Sequence, residues 1–252
     1  MSAARAELHF HILPGVDDGP RTVEESLELA AMARDDGTTT IVATPHVHSI
    51  WLPELAERVD ALRGHLAEAG LALELRCGGE LAFDDLPELS DASLELIAHG
   101  PPGDRWVLLE APLRHTGARA EDFTAAAGEL RSRGFGVLIA HPERSPALMA
   151  GGLGVVRAEL EAGSVLLLNA TSLLGRHGKD AQELALSLAT SSLAAAVASD
   201  AHRPTRGPVL GRALAALLEG GVEAAAAHDM VDTAPRALLE GGLAARRLPV
   251  AG

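Results

Sequence analysis

A chain of 252 residues, 47% of them hydrophobic, has enough apolar material for a sizeable core and is no disordered tract. The formal charge of −14, from 35 acidic and 21 basic residues, disfavours a nucleic-acid duplex or an anionic membrane surface as partner. The single cysteine, Cys77, excludes an intrachain disulfide and fits a reducing cytoplasm.

The opening "MSAARAELHFHI" carries no apolar stretch before its first strand, so no export signal is expected. The longest uncharged run, 184–199, falls short of the ~20 apolar residues of a membrane span, and no membrane insertion is expected. Next comes "TVEESLELAAMARDDG". Thr22 and Glu25 form a capping box, and Val23, Leu27, Ala30 and Ala31 line one face of a helix that stops at Gly37. The β-branched run "TTTIVATPH" predicts a second strand ending near His46. A helix through "LPELAERVDALRGHLAEAG" precedes the strand "LALELRCGGE", and a helix near 86–98 precedes "RWVLLEAP". Helices at 119–133, 153–162 and 180–190 lead to "FGVLIAHPER", "SVLLLNATS" and "LAAAVASDAH". The last helix begins at "TAPRALLEG", with Thr233 as its cap. Short apolar strands alternating with helices, without a Gly/Ser/Pro linker, predict one closed α/β barrel of about seven strands filling a single domain, 1–252.

The residues at the C-terminal tips of these strands are His9, His11 and, just beyond, Asp18; then His46, Glu80, Glu110, His141, Asp200 and His202. The strand near 165 ends in Asn169, the one tip without a ligand type. Taken singly, a His-x-His or a carboxylate in a turn is an ordinary surface or turn feature. Their shared position is what counts, because the C-terminal rim of an α/β barrel is where chemistry sits. Four carboxylates converging without cations would repel one another, and divalent metals remove that penalty with imidazole as partner ligand. Five histidines and four carboxylates without Cys predict more than one ion and favour Mn, Fe or Zn. His65, His99, His115, His177 and His228 read as ordinary surface residues, and His48 as a neighbour of the rim.

The order "HFHILPGVDDGPRTVEES", "ATPH", "GGE", "LLEAP", "AHPER", "SDAH" resembles the PHP (polymerase and histidinol phosphatase) superfamily. Within it, the likeness is to bacterial capsule-type protein-tyrosine phosphatases that act on exopolysaccharide tyrosine kinases. The resemblance implies a distorted (β/α)7 TIM-like barrel with three metals at its mouth, usually Mn and sometimes Fe or Zn. It implies that His9, His11, Glu80 and Asp200 serve the first metal, and that Glu80, Glu110 and His141 serve the second. Asp18, His46 and His202 would hold the third. Arg144 resembles the phosphate-binding arginine, and Arg206 and Arg203 compete for a second such role. Where the family has Asp before His-x-His this chain has Glu7.

The implied activity is hydrolysis of phosphotyrosine on protein. Metal coordination lowers the pKa of bound water to roughly 7, so an activated hydroxide is the expected nucleophile. Arg144 would clamp the phosphoryl group; the sequence names no general acid, and Asp18, Asp200 and His202 are candidates only as neighbours in the ligand shell. A small-molecule phosphomonoesterase such as a histidinol phosphatase is the alternative. Cysteine-dependent phosphatase chemistry is excluded, since the sixth residue after Cys77 is Phe83 where that class needs Arg. The sequence specifies no oligomeric state.

Overall fold

The computed structural model describes residues 4–113, 117, 119–150 and 152–246. Strand β1 (Arg5–Phe10) is followed by helix α1 (Val23–Asp35), β2 (Thr38–Ala43), α2 (Leu55–Glu68) and β3 (Glu74–Cys77). After β4 (Glu80–Leu81) come α3 (Asp91–Ile97), β5 (Trp106–Glu110), α4 (Ala120–Ser132) and β6 (Gly136–Ala140). Helices α5 (Pro146–Met149) and α6 (Gly154–Glu161) lead to β7 (Val165–Asn169), and α7 (Ala170–Leu173) and α8 (Lys179–Thr190) lead to β8 (Ala196–Ala198). The tail holds α9 (Leu210–Glu219), α10 (Ala224–His228) and α11 (Ala234–Gly241).

Every strand pair is parallel, in two sheets ordered β1-β2-β3 and β4-β5-β6-β7-β8. Single parallel bridges, Phe10 with Ala201 and His46 with Glu80, link the two sheets at both junctions. The stretch expected as one strand over 71–80 is thus divided. β3 pairs with β2, the chain passes Gly78 and Gly79, and β4 pairs with β5.

Two details of the helix ends differ from expectation. Thr22 caps α1 by accepting from Glu25 N at 3.3 Å, but the Glu25 carboxylate accepts from Arg21 N at 2.8 Å, so the predicted box is reciprocated one residue early. Gly37 ends the α1 turn at φ +92° as expected. Thr233 makes no side-chain cap bond. The chain enters α11 from a helical turn at Asp229–Thr233, where Ala234 N already donates to Asp229 O, and Pro235 next to it has no N–H for Thr233 to accept.

In β2 and in β5 to β8 the period-two side-chain alternation divides the core in two, while β1 shifts register between Glu7 and Phe10. Ile41, Val107, Leu109, Val137, Ile139, Leu166, Leu168 and Val197 face the helices. Leu8, Val42, Leu108, Leu138, Ala140, Leu167, Ala196 and Ala198 face the interior, with Trp106 and Leu238 of α11 in the same cluster. Trp106 is fully buried, and its Nε1 donates to Leu238 O at 2.9 Å, fastening α11 beneath the interior row.

The break between the sheets depends on glycine at both positions. A Cβ on Gly78 would lie 2.5 Å from Val42 Cγ1 and 2.8 Å from His99 Nε2, and one on Gly79 would lie 2.9 Å from Ile97 Cγ2. Substituting Gly78→Ala should therefore destabilise the fold by about 1–3 kcal/mol, read by denaturant unfolding. It should also weaken metal binding, because Glu80 is two residues away. Unchanged stability and unchanged metal affinity would show that the close approach is relaxed at no cost.

Candidate metal centre

The interior rows change character at their C-terminal ends. Glu110 follows Leu108, Asn169 follows Leu167 and Asp200 follows Ala198, each two residues on and so on the same face. An apolar floor thereby carries a polar mouth. Around that mouth lies a cavity of about 370 Å³ lined by Asp18, His46, Glu80, Glu110, His141, Arg144, Asp200, His202 and Arg206, with His48 and Leu113 at its margin.

Glu80 sits at the centre. Its Oε2 lies 3.1 Å from His9 Nε2, 3.2 Å from His11 Nε2 and 3.2 Å from His46 Nδ1, while Oε1 lies 3.0 Å from His141 Nε2. His141 Nε2 is 3.9 Å from Glu110 Oε1. Asp18 Oδ1 lies 3.2 Å from His202 Nε2 and 3.5 Å from His46 Nε2. Asp200 Oδ1 points at His9 and His11, at 3.4 and 3.7 Å. Its Oδ2 accepts from Arg144 at 2.9 Å, Arg206 at 2.7 Å and Asn169 Nδ2 at 2.8 Å.

Neighbours fix how the imidazoles face. Asp17 Oδ2 is 2.7 Å from His11 Nδ1 and also accepts from His46 N at 3.1 Å, so His11 presents Nε2 inward. His202 Nδ1 donates to Asp200 O at 2.9 Å, which leaves its Nε2 toward Asp18. His141 and Asp200 have φ of +36° and +50°, left-handed backbone that other residues rarely adopt and that clusters at functional sites.

The electrostatics reflect a crowded, partly dry pocket. Burial opposes the imidazolium of His11, yet hydrogen bonds to Asp17 and Glu80 push its pKa up to about 10. Burial and the Glu80 charge push Glu110 up to about 8. Burial acts against the Glu80 carboxylate too, but His9, His11 and His141 hold it well below the usual range. Burial and the Arg144 charge lower His141 to about 4. Hydrogen bonds from His202 and His46 hold Asp18 low.

All nine residues proposed as ligands from the sequence meet here. Three sets of donor atoms each lie within 4.8 Å of one another: His11, Asp18, His46 and His202; His9, His11 and Glu80; Glu80, Glu110 and His141. The donor set fits divalent cations. His9 Nε2 and His11 Nε2 stand 3.2 Å apart with Glu80 Oε2 within 3.2 Å of both, a convergence of lone pairs that a shared cation satisfies. The two candidates for the second arginine separate. Arg206 lines the mouth, whereas Arg203 lies outside it, donating to Asp18 O at 3.1 Å.

Several residues read differently from the structure. Asp17, beside the expected ligand Asp18, is the carboxylate that orients His11, and a second acid next to a ligand is the one sequence signal for it. Asn169, the tip without a ligand type, anchors Asp200. Glu143 is buried, accepts from Asn169 N at 3.0 Å and is pushed up to about 7 by burial. Of the histidines expected on the surface, His99 is buried and His177 is half-buried. His99 is buried against Trp106, with its pKa lowered to about 3 chiefly by burial. His177 is tied to Thr171 Oγ1 at 2.8 Å and lowered to about 4 by burial and by Arg144. His48 stays half-exposed beside Asp85, a neighbour as expected. His115 lies outside the described residues. Glu7 is fully buried, accepts from Ser199 N at 2.9 Å and is raised to about 8 by burial, so it joins β1 to the end of β8.

A family model described as capsular polysaccharide synthesis, CpsB/CapC, matches residues 5–240. The chain is 30% identical over 208 residues to a putative tyrosine-protein phosphatase, CapC, of Staphylococcus aureus, covering 81% of this chain and 79% of that one. Among solved structures it superposes, with a TM-score of 0.77 and 26% identity over 93% of each chain, on one from work on YwqE of Bacillus subtilis and CpsB of Streptococcus pneumoniae, described as unique metal-dependent tyrosine phosphatases. A histidinol phosphate phosphatase of Lactococcus lactis, with a TM-score of 0.54 and 13% identity over 87% of this chain and 94% of that one, shares the fold.

Two outcomes follow from this geometry. Asp17→Ala should weaken metal binding by about 10–100-fold, measured by competition with a chromophoric chelator, while leaving the circular dichroism unchanged. Metal loading at pH 7 should release protons, because His11 (about 10) and Glu110 (about 8) are protonated there and both must shed the proton to bind. Affinity should accordingly rise with pH. Calorimetry in buffers of different ionisation enthalpy reads this directly; a buffer-independent heat would contradict it.

Proposed function

The chain belongs to the CpsB/CapC family of capsular polysaccharide synthesis proteins, and from that premise we propose that it is a metal-dependent phosphatase hydrolysing phosphotyrosine on protein. The observation that carries the reading is the gathering of eight imidazole and carboxylate residues about a ninth, Glu80, with two guanidinium groups held on Asp200 at the edge. In the finer reading the substrate is a bacterial tyrosine kinase of capsule or exopolysaccharide synthesis. Residues 1–252 form one cytoplasmic domain whose two sheets are parts of a distorted (β/α)7 barrel. Among the described residues no helix is long and apolar enough to cross a membrane.

His9, His11, Glu80 and Asp200 would hold one cation, Glu80, Glu110 and His141 a second, and Asp18, His46 and His202 a third. Mn is the first choice, then Fe or Zn. Such ions supply Lewis acidity toward water and toward phosphoryl oxygen. The chain's own part is orientation and charge. Asp17 and the Asp200 carbonyl set the ring nitrogens of His11 and His202. Arg144 and Arg206 bring planar donor forks to the mouth, suited to phosphoryl oxygens, and Asp200 holds both in place. Cys77 lies half-buried in β3, away from the mouth lining, and has no part in this chemistry.

Purified protein should hydrolyse a phosphotyrosine peptide and lose essentially all of that activity to a chelator, recovering it on adding Mn. Alkylation of Cys77 should change it less than twofold. Alkylation-sensitive, chelator-resistant hydrolysis would refute metal dependence, and faster turnover of histidinol phosphate than of peptide would move the substrate class to small esters.

A further inference from the structure

A second cavity, of about 530 Å³, adjoins the metal mouth on the far side of Arg144. Its apolar walls come from Leu113 after β5, Pro146 and Met149 of α5, and Leu184 of α8, and its polar walls from Glu143, Arg144, Ser145, His177, Lys179 and Asp180. We infer that this cavity receives the aromatic ring of the substrate tyrosine while the phosphoryl group occupies the metal mouth; this inference rests on the phosphotyrosine reading above.

Three observations carry it. First, the cavities are continuous in their linings, since Arg144 and Leu113 belong to both. A group bridging them passes the guanidinium that also contacts Asp200. Second, the mouth is lined by charged and imidazole side chains with Leu113 as its one apolar member, so it offers a phosphoryl group partners and a ring almost none. The adjoining cavity supplies the apolar surface that the mouth lacks, on Leu113, Pro146, Met149 and Leu184, beside an equal share of polar lining, and lies within the roughly 300–1,000 Å³ of small-ligand sites.

Third, the polar wall is built rather than incidental. His177 Nε2 is 2.8 Å from Thr171 Oγ1, which donates to Asn169 Oδ1 at 2.6 Å, and Asn169 Nδ2 donates to Asp200 Oδ2 at 2.8 Å. Because the Thr171 proton is engaged with Asn169, His177 is the donor in the first link. The far wall of the cavity and the metal-side carboxylate are thereby held in one frame.

The test compares two constants on metal-loaded protein: KM for a phosphotyrosine peptide, and Ki for inorganic phosphate, which needs the mouth but has no ring. Leu184→Trp fills the cavity and Met149→Gln makes its wall polar at nearly constant volume. KM should rise at least tenfold in Leu184→Trp and about fivefold in Met149→Gln. In both, kcat, metal content and phosphate Ki should stay within about twofold. KM unchanged in both variants, or KM and phosphate Ki rising together at full metal content, would overturn the ring assignment. Wild-type protein that binds phosphate and metal but turns over no phosphotyrosine peptide would instead defeat the function on which the assignment rests. Should Leu184→Trp fail to fold, Met149→Gln decides alone.

Discussion

Taking a carboxylate out of water costs several kcal/mol unless its oxygens are met, and Glu80 is such a group, 1% exposed in the middle of the molecule. Four imidazoles stand within 3.2 Å of its two oxygens. Three of those rings come from the first sheet side, His9, His11 and His46, and one, His141, from the second. Glu80 itself begins β4, immediately after the Gly78–Gly79 passage from one sheet to the other. The discontinuity in the sheet and the centre of the site are therefore one feature. Glu80 keeps the register of β3 with the β2 side, through its bridge to His46 and its N–H to Pro45 O at 3.0 Å, while pairing onward with β5, and so stands between the two groups of rings.

Much of this was legible from residue order, and the reason is periodicity. An apolar strand that ends in His or carboxylate places that side chain on the same face as the residue two before it, so Glu110 and Asp200 could be placed from Leu108 and Ala198. What is not legible is whatever depends on how loops fold back onto the strand ends. Asp17 and Asp18 are indistinguishable in a turn until the position of His11 Nδ1 is known. Asn169 looks inert until Asp200, 31 residues on, turns its carboxylate toward it. His99 meets Trp106 and His177 meets Thr171 only once the turns between them close, and no sequence pattern marks either contact. Thr233 failed for the opposite reason, because a good capping residue means nothing where the preceding turn is already helical.

Asp200 shows how the site distributes charge. One oxygen faces the His9–His11 side, and the other gathers two guanidinium groups and an amide. This buried carboxylate is thus over-provided with donors, and its left-handed backbone is maintained by the contacts around it. The arginines gain from the arrangement as well. A guanidinium anchored through one nitrogen has little rotamer freedom left to lose when its remaining N–H groups engage a second anion, which is the sense in which a binding site is preorganised.

Beneath the mouth the same interior rows are filled with Leu8, Val42, Leu138, Ala140, Leu167, Ala196 and Ala198, closed below by Trp106 and Leu238. The apolar floor and the charged mouth make opposite demands on one set of strands. The floor favours close packing, which tolerates little movement; the mouth crowds carboxylates together, and burial together with repulsion from Glu80 helps to keep Glu110 protonated. Cations that bind only the folded arrangement would relieve that repulsion and add their binding energy to the fold. Metal occupancy and stability are then coupled through Glu80. A substitution low in an interior row, at Ala198 for instance, would act on the centre two residues above it as surely as one in the mouth, because the strand transmits a displacement of the floor to the carboxylate it supports.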